Sequence, residues 1–100
     1  MPNYPVKNRY SNIEEFAAAI AGITEAYSLR DNVPYVGITV NGPEIKGRRA
    51  STDKDFTINL PELFEAQQKL NLISTTDLKQ FISTRAQSPA MAILKQLNII

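Results

Sequence analysis

The chain contains neither cysteine nor histidine in its 100 residues. Without thiols there are no disulfides, no thiolate nucleophile and no thiolate metal site. Without imidazole there is no Ser-His-Asp triad, no histidine metal ligand and no side chain whose ordinary pKa lies near neutrality. These absences exclude the commonest catalytic and metal-binding chemistries, and they lead us to expect a cytoplasmic protein.

Long apolar runs and an excess of one charge are missing as well. No run approaches the roughly 18 apolar residues that a membrane helix needs, and "MPNYPVKNRY" lacks the apolar core of a signal peptide. Eleven basic and ten acidic side chains leave a net charge of +1, so any attraction to nucleic acid must come from local clustering. We expect no membrane partner, no cofactor, no metal and no enzymatic activity.

Length and hydrophobic patterning predict one small α+β domain over residues 1–100. It comprises an irregular N-terminus (1–10), a helix plus β-meander (11–58) and a helical part (59–100). The expected order is an N-terminal helix, a three-stranded antiparallel β-meander and three short C-terminal helices.

In the first half, apolar residues at helical spacing predict a helix over 12–28, with Ser11 and Glu14 as its capping box. "VPYVGITV" (33–40) predicts a strand with Val36, Ile38 and Val40 on one face and Tyr35, Gly37 and Thr39 on the other. Asn41-Gly42 predicts a hairpin turn. The polar return strand (44–50) is predicted to be an edge or a protruding arm, followed by a short third strand (56–58).

The second half predicts helices over 60–70, over 75 to about 84, and from a Ser88 cap onward with Pro89 in first position. The segment "ISTTDLKQF" resembles the turn and second helix of a helix-turn-helix motif, although Leu72 stands where glycine is usual. This resemblance implies that Thr75, Thr76, Lys79 and Gln80 face DNA and that Arg85 contacts phosphate. The alternative is an ordinary packing unit of three helices.

The densest cluster of positive charge lies in "EIKGRRAST" (44–52). On a strand, Lys46 and Arg48 project from one side and Arg49 from the other, while Gly47 lets another backbone approach. With the Ser51 hydroxyl and Lys54 they predict a surface for DNA or RNA phosphates. The alternative is an edge strand whose charges prevent aggregation.

The same region carries two shorter patterns. Glu44-x-Lys46 resembles the nuclease half-motif in which a carboxylate holds Mg²⁺ and a lysine positions water, but the preceding strand ends "TVNG", without the aspartate that the family needs. "RRAS" (48–51) resembles a basophilic kinase site at Ser51.

Tyrosines add a further pattern. Tyr4, Tyr10 and Tyr35 are candidates for stacking on bases or anchoring a partner, whereas the spacing of Tyr27 indicates a core position.

These observations favour a small non-catalytic binding protein. The first interpretation is DNA binding through the hairpin 44–54, helped by the segment 60–85. The alternative is a protein-interaction module, such as a subunit, an inhibitor or a phage- or mobile-element-encoded accessory factor. Its hairpin would extend a partner's open sheet edge or meet an acidic surface. The formation of a homodimer is a further alternative. A Mg²⁺-dependent nuclease is a third and remote interpretation. Convergence of the cations on one face would favour nucleic acid, and scatter would favour the protein partner.

Overall fold

The protein is described by a computed structural model that covers residues 3–29 and 32–100, so residues 1 and 2 of the predicted irregular N-terminus lie outside it. The elements in chain order are β1 (Tyr4–Pro5), α1 (Ile13–Ala21), β2 (Glu25–Tyr27), β3 (Pro34–Asn41), β4 (Glu44–Arg49), β5 (Lys54–Asn59), α2 (Leu60–Lys69), β6 (Leu72–Ile73), α3 (Thr75–Leu78) and α4 (Gln87–Gln96). The α+β class is confirmed. The main sheet has four strands rather than the predicted three.

Helix α1 is shorter than predicted at both ends. The Asn12 side chain, not Ser11, caps it by accepting hydrogen bonds from the backbone N–H groups of Glu14 and Glu15. The helix ends at Ala21 with Gly22 as its C-cap. The predicted continuation to residue 28 is wrong, because residues 25–27 form β2 and pair antiparallel with β3. That pairing extends the sheet and buries Ala26 completely.

The main sheet is antiparallel throughout, with the order β2-β3-β4-β5. Strand β4 is therefore an interior strand with a partner on each side, and its predicted position at an edge is wrong. The predicted turn is also displaced by one residue. Asn41 pairs with Glu44, which leaves Gly42 and Pro43 as the two turn residues. Gly42 has a φ of 62°, as the first central position of a type II′ turn requires.

A β-bulge in β3 changes which side chains face the core. The register with β4 shifts between Val36 and Thr39, and Gly37 adopts a φ of 62°. Because the bulge inserts one extra residue, the alternation of faces inverts across it. Tyr35 and Ile38 are both buried, so the predicted assignment of Tyr35 and Ile38 to opposite faces is wrong.

The hydrophobic core lies between one face of this sheet and the helices. α1 lies against β3 and α4 lies against β2. Phe16 and Ile20 of α1 are fully buried in the same cluster as Ile45 of β4 and Ile58 of β5, which pair across the sheet. Within residues 3–29 and 32–100, no helix covers the opposite face of the sheet.

The segment after α2 is less helical than predicted. Ser74 and Asp77 form the capping box of α3, which ends after one turn at Leu78 instead of near residue 84. Tertiary hydrogen bonds hold the following residues in another conformation: the Ser83 N–H and hydroxyl both donate to the Glu62 carboxylate, at 3.0 Å each. The Thr84 hydroxyl donates to the Thr57 carbonyl of β5 at 2.7 Å.

Helix α4 begins one residue before the predicted cap. The Ser88 hydroxyl lies inside the helix, where it accepts a hydrogen bond from the Tyr35 hydroxyl at 3.1 Å, and the N-cap position Ala86 provides no side-chain hydrogen bond. The predicted Ser88 cap is therefore wrong. This bond instead joins the start of α4 to the sheet.

Residues 3–10 form a strap that joins the end of α2 to the C-terminus. Strand β1 pairs antiparallel with β6, and the Lys7 N–H donates to the Ile99 carbonyl at 2.6 Å. Arg9 donates to the carbonyls of Gln67 and Leu70 at the end of α2, at 3.1 and 2.8 Å. The fully buried Gln67 amide bonds both the N–H and the carbonyl of Tyr10. Residues 3–10 are largely without regular structure, as predicted for this segment, yet hydrogen bonds join them to α2, β6 and the C-terminal residues.

Candidate functional site on the open face of the sheet

The face of the main sheet that the helices leave uncovered is called here the open face. Strand alternation and the observed register define its side chains. They are Glu25 and Tyr27 of β2, Pro34, Val36, Thr39 and Asn41 of β3, Glu44, Lys46 and Arg48 of β4, and Asp55, Thr57 and Asn59 of β5. Most of them are exposed, as expected for an antiparallel sheet with one solvated face.

A concave depression of about 500 Å³ opens on this face. Its lining residues are Val36, Gly37, Lys46, Gly47, Arg48, Asp55, Phe56 and Thr57. The depression lies where the bulge at Gly37 meets β4, and Gly37 contributes no side chain to it. The basic strand β4 therefore borders the depression through Lys46 and Arg48.

Core packing, and not the approach of another chain, requires a glycine at position 47. A Cβ at this position would lie 2.5 Å from the ring of Phe56 and 3.3 Å from Ile38. Phe56 in turn packs edge-on against Tyr35, with their ring centroids 5.6 Å apart and an interplanar angle of 86°. The expectation that Gly47 admits another chain is therefore wrong, because an aromatic ring of the same chain occupies that space.

The cations of the open face have acidic neighbours. Lys46 lies 3.8 Å from the Glu44 carboxylate, and Arg48 lies 3.1 Å from Asp53 in the turn after β4. Asp55 is the direct cross-strand partner of Arg48. Exposed ion pairs of this kind contribute only about 0–1 kcal/mol, so a partner can displace them. Two cations and the carboxylates of Glu25, Glu44 and Asp55 give the face mixed charge rather than positive charge.

The other residues predicted to bind nucleic acid lie elsewhere. Arg49 is half-buried and projects from the opposite side of β4, together with its cross-strand partner Lys54. Ser51 is exposed in the turn between β4 and β5. Thr76, Lys79, Gln80 and Arg85 are exposed in and after α3. Of the nine predicted residues, only Lys46 and Arg48 belong to the open face.

The helix-turn-helix resemblance does not extend to the structure. The expected second helix is the four-residue α3, and of the residues implied to face DNA only Thr75 and Thr76 lie within it. Lys79 occupies its C-cap and Gln80 follows in a turn. A recognition helix needs more than one turn to reach base edges along a groove. The alternative of a packing unit fits the observed burial of Leu78 and Ile82.

In the Glu44-x-Lys46 pattern, the Glu44 carboxylate lies near the Lys46 ammonium group. The open-face residues of the adjoining strand β3 are Pro34, Val36, Thr39 and Asn41. None of them is acidic, so the acidic partner of the nuclease motif is absent from β3, as it is from the sequence. In the described part of the chain, no group of three or more acidic side chains is arranged to hold a metal ion.

Two tyrosines exchange their predicted roles. Tyr35 is 3% exposed, although it was a candidate for stacking, and Tyr27 is 40% exposed, although its spacing indicated the core. The Tyr27 hydroxyl donates to the Glu25 carboxylate at 2.8 Å. That hydrogen bond and the negative charge of Glu25 raise the pKa of Tyr27 above its ordinary value of 10.0. The alternation of polar Glu25, apolar Ala26 and amphipathic Tyr27 is the sequence pattern that could have predicted β2.

Comparison with protein-family models, curated proteins and solved structures gives no match to this chain. Its function is therefore inferred from its own geometry. Among residues 3–29 and 32–100, no helix has the length and apolar character that crossing a membrane requires.

Proposed function

We propose that this chain is a small non-catalytic protein-binding module and that the open face of its sheet is the docking surface. The observation that supports this is the charge pattern around the depression. Lys46 and Arg48 lie between carboxylates on both sides, Glu25 of β2 and Asp55 of β5. A nucleic-acid backbone is uniformly negative and would be repelled by those carboxylates, whereas a protein surface can match both signs.

The shape of the face agrees with a polar protein contact. The depression over Gly37 and Gly47 has room for a partner's side chain, and the charged residues form the rim. Since few apolar side chains are exposed, the contact belongs to the weak or transient class. The partner does not add a strand to β4, because both edges of that strand are already paired.

Nucleic-acid binding is the second candidate, since Lys46, Arg48 and the Thr57 hydroxyl share one depression. The ligand would lie across the sheet face as a single strand. A β-ribbon that enters a groove is not an option for an interior strand. The Mg²⁺-dependent nuclease stays a remote proposal, which predicts cleavage that is lost in Glu44→Ala and Lys46→Ala.

The test of the first candidate is site-specific photo-crosslinking in cells that make the protein. A photoreactive residue at position 36 on the open face should give a discrete protein adduct that nuclease treatment does not remove. The matched control places the same residue at Ala18, which is exposed on α1. Reversing both charges with Lys46→Glu and Arg48→Asp should abolish the adduct at position 36. Equal adducts at positions 36 and 18 would contradict the proposal.

The second candidate is tested by fluorescence anisotropy with short labelled DNA and RNA, single-stranded and duplex, at low salt. The protein-binding proposal expects no complex. A complex that weakens steeply with salt and disappears in Lys46→Ala with Arg48→Ala would replace it with the nucleic-acid interpretation.

A further inference from the structure

We propose that the open face pairs with the open face of a second copy of this chain, about a twofold axis that runs along the strands between β4 and β5. This inference rests on the proposed function, because it uses the same surface and names the partner. The observation is that Arg48 and Asp55 occupy directly opposed positions on neighbouring strands of the open face.

A twofold contact requires a surface that complements itself. Rotation about an axis parallel to β4 and β5 and midway between them places β4 of one copy over β5 of the other, with the residue rows in the same order. Arg48 of each copy then faces Asp55 of the other. In the next row Lys46 faces the Thr57 hydroxyl, because Lys46 and Thr57 are also cross-strand partners.

Neighbouring axes do not give this match. An axis along β4 would place Lys46 over Lys46 and Arg48 over Arg48 of the second copy. An axis between β3 and β4 would place Asp55 over Glu25, since both lie in the row that runs through Val36 and Arg48. Opposed like charges are destabilising in both cases. Of these three axes along the strands, only the axis between β4 and β5 places unlike charges opposite each other.

The distances suit such a pair. Sheets that pack face to face lie about 10 Å apart, and an arginine and an aspartate reaching toward each other span that gap. Arg48 bonds Asp53 in the single chain, but both side chains are at least half exposed, at 52% and 80%. An exposed pair of this kind is readily exchanged for an intermolecular one.

The experiment is sedimentation velocity on the intact chain over a range of concentrations up to about 1 mM, as a weak contact requires. The wild type should shift from monomer toward dimer as concentration rises. Arg48→Asp places two carboxylates opposite each other in each half of the dimer, and Asp55→Arg places two guanidinium groups there. Each variant alone should stay monomeric, whereas an equimolar mixture of the two should associate at least as strongly as the wild type.

Rescue by mixing separates this contact from any effect within one chain, because a second molecule cannot restore a lost intramolecular pair. Lys95→Asp, at an exposed position on α4, is the control and should dimerise like the wild type. If either reversal prevents folding, as judged by circular dichroism, Arg48→Glu and Asp55→Lys test the same complementarity. A wild type that is monomeric throughout the range, or a mixture no more associated than its components, would overturn the proposal.

These outcomes are distinct from failure of the proposed function. A monomeric wild type whose position 36 still crosslinks to a different protein overturns self-pairing and retains the protein-binding function. An adduct of twice the chain mass, lost in Arg48→Asp alone, supports both.

Discussion

At the scale of single residues, aromatic packing explains why a glycine stands at position 47 in the middle of β4. The Phe56 ring occupies the space of the missing side chain and meets Tyr35 edge-on. The glycine therefore serves the inner face of the sheet.

Gly47→Ala should lower the free energy of unfolding by about 1–3 kcal/mol, because the new methyl group overlaps the Phe56 ring. Urea denaturation monitored by circular dichroism measures this change. The matched control is Gly22→Ala, where φ is −82° and the new Cβ would lie 3.5 Å from the Ala19 carbonyl oxygen. That variant should change stability by less than about 1 kcal/mol. Equal effects of the two variants would contradict the packing argument.

A second prediction at this scale concerns Tyr27 on the open face. Its pKa is raised by the hydrogen bond to Glu25, so Glu25→Ala should lower that pKa toward 10.0. A raised pKa means that the folded chain favours the neutral hydroxyl. The stabilisation is therefore present below the unfolded-state pKa and is lost as the pH rises through the folded-state pKa.

The measurement for Tyr27 is an NMR titration of its ring carbons. Glu14→Gln, on the N-terminal turn of α1, is the control and should leave the Tyr27 titration unchanged. A Tyr27 pKa that is the same with and without the Glu25 carboxylate would show that the hydrogen bond does not persist in solution.

At the scale of elements, the position of β4 decides which surface can bind. Its charged residues suggested an edge, since natural edge strands often carry charge. The structure places these charges on the solvated face of an interior strand, between β3 and β5. A binding surface built on β4 must therefore use side chains and not the backbone.

The backbone amides of residues 45–48 should exchange with solvent deuterium as slowly as the slowest amides of the molecule, because β4 is paired on both sides. NMR-detected hydrogen exchange measures this directly. The exposed turn residues 51 and 52 provide the fast internal control. Rapid exchange at alternate residues of β4 would indicate a free edge and would restore the possibility of strand addition.

At the scale of the whole molecule, the N-terminal strap connects parts of the chain that are distant in sequence. The backbone of Val6 donates to Asn71 and that of Lys7 to Ile99. The Arg9 guanidinium group donates hydrogen bonds to the carbonyls of Gln67 and Leu70 at the end of α2. Because the strap joins α2 to the C-terminus, its removal should affect the entire fold and not one local segment.

Deleting residues 1–9 should lower the free energy of unfolding by about 3 kcal/mol or more, as several backbone and side-chain hydrogen bonds are lost together. The midpoint of urea unfolding gives the comparison. Lys7→Ala keeps the backbone bond to Ile99 and removes an exposed side chain, so it should stay within about 0.5 kcal/mol of the wild type. A deletion as stable as the wild type would show that the strap does not hold the fold together.

The sequence by itself determined the α+β class, the four helices of the described chain in approximate position, and the strands around residues 34–59. Periodicity and turn residues act locally, so these features can be read along the chain. The sequence also excluded thiol and imidazole chemistry, because the residues are absent.

Only the tertiary structure decided which pattern prevailed where two were present. Residues 25–27 continue a helical periodicity, but pairing with β3 makes them a strand. The helical periodicity also continues through residues 79–84, but α3 ends at Leu78. Ser83 and Thr84 instead bond to Glu62 of α2 and Thr57 of β5. The bulge at Gly37 and the interior place of β4 likewise depend on neighbouring strands. Those contacts join residues far apart in sequence, and they set the open face and its mixed charge.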